Sequence, residues 1–297
     1  MTPGRTAQRY RTDDLPEVEG IEHRFVDVDG LRVHVAEAGD GPPVLLLHGW
    51  PQHWYMWRGV IERLAPQFRL IAPDLRGFGW TEAPGEGYDP ETFAADQIAL
   101  LDVLEIESAS VIGHDWGGFT CFLLGMDAPE RIERMVVLNS PHPWADVSPK
   151  LLLQAWRSWY AAANALPVFG PRLAQSGRIV SWMLSHGNAG DPFPDGGAIY
   201  RERLRDPARA QATAELYRYY MRAFAQAARG GAYRAEHLSV PTLLLFGQRD
   251  LFVSADLLEG GEAHADELRI ELVPDCGHFI ADEKPELVAR RALAFLS

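Results

Sequence analysis

Gly113-His114-Asp115-Trp116-Gly117-Gly118 decides how this chain is read. The apolar run Ala109-Ser110-Val111-Ile112 before it predicts a buried strand, and residues 117–124 after it predict a helix. A residue in a glycine-flanked turn between strand and helix is presented at the end of a sheet with its side chain standing free. Its neighbours must be small because the turn leaves little room for Cβ atoms. Here the presented residue is an aspartate, and no G-x-S-x-G occurs in the 297 residues. The difference is chemical. A hydroxyl needs a base before it becomes nucleophilic, whereas a carboxylate with an ordinary pKa of about 3.9 is already ionised at neutral pH.

Alone, the motif reads equally well as a helix with an N-cap aspartate. The rest of the chain decides between the two. His48-Gly49-Trp50-Pro51 follows the strand-like run Pro43-Val44-Leu45-Leu46-Leu47, and Pro73-Asp74-Leu75-Arg76-Gly77-Phe78-Gly79 follows Leu70-Ile71-Ala72. Later come Leu243-Leu244-Leu245-Phe246-Gly247-Gln248-Arg249-Asp250 and Asp275-Cys276-Gly277-His278-Phe279. Nucleophile, acid and histidine thus follow in that order, each at the end of a predicted strand, which is the chain order of the α/β-hydrolase triad. From residue 21 onward the sequence resembles the α/β-hydrolase superfamily, and most closely its epoxide hydrolase branch.

Composition fits an enzyme of that kind. With 47% hydrophobic and 23% charged residues, the chain can bury a large core and carry an inserted subdomain. A net charge of −13 disfavours nucleic acid and anionic membranes as partners, because phosphate is repelled. Residues 1–10 are polar with no apolar signal stretch, and no apolar run approaches the roughly 18 residues of a membrane span, so the expected location is the cytoplasm. Cys121 and Cys276 form neither a metal-ligand spacing nor a disulfide framework. There is no C-x-x-C, H-E-x-x-H or glycine-rich phosphate loop, so neither a metal nor an organic cofactor is expected.

Residues 23–28 and 31–37 alternate around Asp29-Gly30 and predict a hairpin. Continuous apolar runs at 43–47, 69–73, 109–113 and 135–138 predict strands buried on both faces, with helices at 54–65 and 91–105 between them. This alternation predicts an α/β fold, a mainly parallel sheet flanked by helices. From about 141 to 235 the strand signal gives way to Ala-, Leu-, Arg- and Trp-rich helical segments broken by a loop at 187–197. The expected organisation is a core over 21–140, an inserted helical cap over 141–235 and a second core segment over 236–297.

The resemblance implies a role for each motif. Asp115 is the expected nucleophile, forming a covalent ester, and His278 the base that activates water to hydrolyse it. Asp250 fixes the tautomer of His278; Asp256, at a predicted helix start, is the less favoured alternative. Backbone N–H groups of Trp50 and Trp116 form the expected oxyanion hole, and their side chains, with Trp159 and Phe279, the expected substrate-binding set. Two cap tyrosines are implied as acids: Tyr160 in Ser158-Trp159-Tyr160 and Tyr217 in Leu216-Tyr217-Arg218, with Tyr219 and Tyr220 as competitors for the second. The expected substrate is a small apolar epoxide, opened to a vicinal diol. Dehalogenation of an alkyl halide or haloacid by the same aspartate is the alternative, since Trp116 stands where haloalkane dehalogenases place a halide-binding indole. Trp50 stands where they often carry asparagine. A non-catalytic binder of hydrophobic ligands is a third reading. Gln52 and Trp80 depart from the branch's pattern and are expected to reshape the pocket, which Trp144, Trp156, Trp159, Phe169 and Trp182 could help line.

Overall fold

The apolar run Val44-Leu45-Leu46-Leu47 is wholly buried, and it can be so only where strands flank it on both sides. The computed structural model describes residues 14–145, 154–227 and 232–297. The polar opening segment and parts of the expected cap, 146–153 and 228–231, lie outside the described residues. Eight strands form one sheet: β1 (Glu22–Val28), β2 (Leu31–Ala38), β3 (Pro43–Leu47), β4 (Arg69–Pro73), β5 (Ala109–His114), β6 (Ile132–Leu138), β7 (Thr242–Gly247) and β8 (Leu268–Val273). Their spatial order is β1-β2-β4-β3-β5-β6-β7-β8. β2 is antiparallel to β1 and β4, and every other pair is parallel. This is the expected α/β-hydrolase architecture.

Local signals account for most boundaries. Asp29 (φ 51°) and Gly30 (φ 82°) both take the left-handed conformation that a two-residue hairpin turn requires. The helix α2 (Pro90–Val103) begins where Asp89 accepts the Thr92 N–H at 2.8 Å and Pro90 fills the first turn. The helix expected over 54–65 is instead a tight 3₁₀ turn, Trp54–Trp57, leading into α1 (Arg58–Leu64). The Trp54 N–H donates to the buried Asp74 carboxylate rather than to the chain, and three of the four turn side chains are buried.

Asp74 fastens the strand-end loops on this side. Its carboxylate accepts from His34 Nδ1, Trp54 N and Trp80 N, each at 2.8 Å. Burial alone would raise its pKa, but the facing His34, His53 and His48 and the hydrogen bond from His34 hold it well below the usual range. After β5 comes α3 (Trp116–Asp127), and between β6 and β7 lie the inserted helices α4 (Trp159–Ala165), α5 (Phe169–Gln175), α6 (Arg178–His186), α7 (Ala198–Leu204) and α8 (Pro207–Ala227). They pack on one another and, through the buried Arg209, on the core: its guanidinium donates to the carbonyls of Gly79 (2.6 Å) and Thr81 (2.9 Å). After β8 come α9 (Ile280–Glu283) and α10 (Pro285–Leu296).

Asp74→Asn leaves one fewer anionic acceptor among these buried donors. Urea unfolding is expected to show a loss of about 2–4 kcal/mol at neutral pH. A wild-type midpoint in the variant would show that Asp74 does not hold these loops.

Candidate active site

The turn after β5 holds Asp115 at φ 52°, ψ −115°, and forces contacts that only glycine permits. A Cβ on Gly117 would stand 2.1 Å from the Leu47 carbonyl oxygen. One on Gly49 would stand 2.6 Å from Asp115 Oδ2. Without those carbons the peptides close on the carboxylate: the Trp50 N–H donates to Asp115 Oδ2 at 3.0 Å, and the Trp116 peptide also favours its charged form. The Trp50-Pro51 peptide is cis.

His278, in the loop between β8 and α9, faces the other oxygen: Nε2 lies 4.0 Å from Asp115 Oδ1. Its Nδ1 is 2.8 Å from Asp250 Oδ2, in the loop after β7. Asp250 is buried and fully occupied. Oδ1 accepts the N–H groups of Phe252 (2.8 Å) and Val253 (2.9 Å), and Oδ2 also accepts Asn139 Nδ2 at 2.8 Å. The three residues that the sequence singles out, far apart in the chain, therefore meet at the carboxyl ends of β5, β7 and β8. Asp256 does not join them; it accepts from Gln154 Nε2 at 2.7 Å.

Charge follows this geometry. Burial raises Asp115 to about 6, against the opposing pull of His278 and the two peptides. His278 is raised above its ordinary 6.5: burial opposes the imidazolium, but Asp250 and Asp115 on either side outweigh it. Asp250 stays below the ordinary range despite burial, because of His278 and its other donors.

Asp115 opens onto a cavity of about 280 Å³ under the inserted helices. Tyr160 on α4 and Tyr217 on α8 share its wall with Asp115, their rings edge-on at 5.8 Å. Burial pushes both phenols well above their ordinary pKa, and the nearby carboxylates add to it. The Trp116 ring borders the same cavity, edge-on to Tyr217 at 6.4 Å. The competitors border the same cavity with their hydroxyls paired: Tyr220 Oη with Ser158 Oγ at 3.0 Å, and Tyr219 Oη with Glu91 at 3.0 Å.

Other expectations fail. The Trp50 side chain is not on the cavity wall: its indole N–H donates to Thr213 Oγ1 at 3.0 Å, and the ring lies edge-on to Tyr217. Trp159 is 46% exposed and packs on Trp182, because neighbouring residues of a helix face different ways and Tyr160 takes the inward one. Phe279 is fully buried and braces His278 edge-on at 5.0 Å without reaching the cavity. Of the further aromatic candidates, Trp156 and Phe169 are exposed, while Trp144 and Trp182 pack against neighbouring rings, none of them on the cavity wall. Gln52 and Trp80 also stand off it. Gln52 donates to Asp282 at 2.6 Å, and Trp80 lies beneath the Arg203 guanidinium.

Sequence reading missed two contributors. Asn139, at φ 44° after β6, donates to both Asp250 and the Gly277 carbonyl (3.1 Å). His114, inside the opening motif, lies 2.8 Å from the His278 carbonyl through Nε2, and burial lowers its pKa to about 3, so it stays neutral.

Residues 42–285 match the family model for the alpha/beta hydrolase fold. The chain belongs to that family. An AB hydrolase superfamily protein of Bacillus subtilis is 32% identical over 292 residues, 94% of this chain and 99% of the relative. A soluble epoxide hydrolase of a Corynebacterium strain is 30% identical, covering 93% and 98% respectively. The solved structure of the epoxide hydrolase CorEH superposes with a TM-score of 0.77 at 29% identity, covering 93% of this chain and 98% of that one. This α/β-hydrolase is thus epoxide hydrolase-like. Among the described residues no helix is long and apolar enough to cross a membrane.

The raised Asp115 has a consequence for stability. Its folded pKa of about 6 exceeds the unfolded value of 3.8, so ionising it destabilises the fold progressively from pH 4 to pH 6 and fully above. Asp115→Asn is therefore expected to stabilise the protein at pH 8, by on the order of 2–3 kcal/mol. That gain should shrink to about half at pH 5. Thermal melts at the two pH values check it.

Proposed function

We propose that this protein opens epoxides to vicinal diols through an ester on Asp115. One observation carries the reading: Asp115 Oδ2 accepts the Trp50 N–H at 3.0 Å while Oδ1 faces the cavity's histidine, His278 Nε2, at 4.0 Å. Oδ1 is then the attacking atom, and Oδ2 is already seated where the ester carbonyl oxygen must lie.

In the first step Oδ1 bonds to an epoxide carbon and the ring C–O bond breaks. The oxygen leaves with the electron pair and takes a proton from Tyr160 or Tyr217, whose phenols stay protonated at working pH. In the second step His278 Nε2 removes a proton from water, whose oxygen adds to the Asp115 carbonyl carbon. The Trp50 and Trp116 N–H groups receive the negative charge on Oδ2. Collapse breaks the bond between carbonyl carbon and ester oxygen. The diol leaves with a proton from the imidazolium, and the acid proton left on Asp115 returns to the tyrosinate, so that carboxylate and phenol are both regenerated. Asp250 holds the histidine with Nδ1 protonated and stabilises its charged form. The residues present supply every proton this scheme needs.

Rapid-quench mass spectrometry with an aryl epoxide such as styrene oxide tests it. Wild type should show a transient adduct on the peptide bearing Asp115, His278→Gln a persistent one and Asp115→Asn none. Tyr160→Phe and Tyr217→Phe should each slow adduct formation by about 10- to 1,000-fold. An adduct on another residue, or full-rate formation in both phenylalanine variants, would falsify the assignment.

The two steps should also separate with pH. Adduct formation needs ionised Asp115 and is expected to fall below about pH 6; hydrolysis needs neutral His278 and should fail at a higher pH. Wild type should therefore accumulate ester in mildly acidic buffer, where a single shared limb for both steps would contradict these assignments.

A further inference from the structure

The histidine loop is tied to the inserted helices as firmly as to the core. The His278 N–H donates to the Gly187 carbonyl at 2.6 Å, and Gly187 is the residue on which α6 ends, its own N–H bonded to Met183 O at 2.7 Å. One peptide earlier, the Gly277 N–H donates to Glu283 Oε1 at 2.9 Å. The other Glu283 oxygen, Oε2, accepts the Ala189 N–H at 2.8 Å. One carboxylate thus spans two segments far apart in sequence, and both of its bonds are to backbone donors on either side of the base. The approach is close: a Cβ on Gly277 would stand 2.2 Å from Gly187 O and 2.9 Å from Glu283 Oε1. On its other side, the His278 carbonyl meets His114 Nε2 at 2.8 Å.

We propose that Glu283 is a positioning residue for His278: its bridge to Ala189 makes the loop at 187–189 part of the frame that aims the imidazole at the ester. This rests on the two-step reading above and extends it. Glu283 is in the first turn of α9 and does not border the cavity, so it touches no reacting atom. It acts on the second step alone. There His278 Nε2 takes the water proton, the water oxygen adds to the Asp115 carbonyl carbon, and the acyl C–O bond breaks. In the first step the nucleophile is Asp115, held from β5 and by the Trp50 and Trp116 peptides, none of which Glu283 contacts. Misplacing a reacting group by about 1 Å can cost a hundredfold in rate, so losing the bridge should slow hydrolysis and spare alkylation.

The bridge needs two acceptors. Glutamine keeps one carbonyl oxygen and turns an NH₂ group against the other backbone N–H, breaking one arm at nearly constant size. Ala189→Pro breaks the arm to the insertion from the opposite side, because proline has no N–H, and leaves Glu283 in place.

The test is rapid-quench mass spectrometry with styrene oxide on wild type, Glu283→Gln, Ala189→Pro and His278→Gln. The fraction of each protein that forms adduct reports how much of it is folded and competent. Expected are alkylation rates within about twofold of wild type for the first two variants, with ester hydrolysis slowed by about 10- to 100-fold and adduct accumulating. Hydrolysis at the wild-type rate in either variant, or equal slowing of both steps, overturns the proposal. Absence of adduct from every protein, His278→Gln included, overturns the Asp115 reading and this proposal with it.

Discussion

A carboxylate taken out of water without a cation against it is the constraint to which the rest of this molecule answers. Asp115 has the Trp50 N–H, the favourable Trp116 peptide and, at 4.0 Å, an imidazole; burial still drives its pKa up to about 6. Peptide dipoles can approach so closely only where neighbouring residues lack side chains, hence glycine at 49 and 117. The left-handed φ of Asp115 belongs to the same geometry, since it turns the side chain from the strand toward the β3 loop. The fully buried parallel strands on either side supply the stability that offsets this local cost.

The same desolvation serves the proposed chemistry. An anion held by fixed dipoles in an apolar cavity needs little solvent reorganisation before it attacks carbon. The phenols opposite experience the reverse effect, since burial makes their ionised forms too costly to populate and keeps them as O–H donors. Asp250 is the exception in the site. Four donors surround it, so it remains charged, and that fixed charge lets His278 gain and lose a proton between two carboxylates.

The parts of this arrangement legible in the sequence are those written in local pattern. Apolar runs gave the strands, Asp29-Gly30 the hairpin, and Asp115, Asp250 and His278 each followed a predicted strand in order. What sequence could not carry was direction and long-range pairing. Trp159 and Tyr160 are adjacent, yet only the packing of α4 decides which ring turns inward. The amide of Asn139 reaches Asp250 and the Gly277 carbonyl across the sheet, and Glu283 joins segments whose separation leaves no local signature. Phe279 looked like a pocket residue from its place beside His278. Strand-end loops instead turn successive side chains to different neighbours, and this one faces Phe193 and Phe252.

The two electrophiles that an aspartate nucleophile can serve ask different things of the cavity wall. A departing halide is a weak base and needs only N–H donors around it, whereas an opening epoxide leaves a strongly basic alkoxide that must gain a proton. Of the two indoles that a halide could meet, Trp50 and Trp116, only Trp116 borders the cavity. Trp50 donates to Thr213, and Trp116 stands edge-on to Tyr217 at 6.4 Å. Tyr217 keeps its proton, because burial and the nearby Tyr160 and Asp115 push its phenol well above the ordinary pKa. Tyr160 lies beside it, edge-on, with its proton equally bound to oxygen. Under the proposed reading, these two phenols, on the wall shared with Asp115, are the acids that an opening epoxide requires.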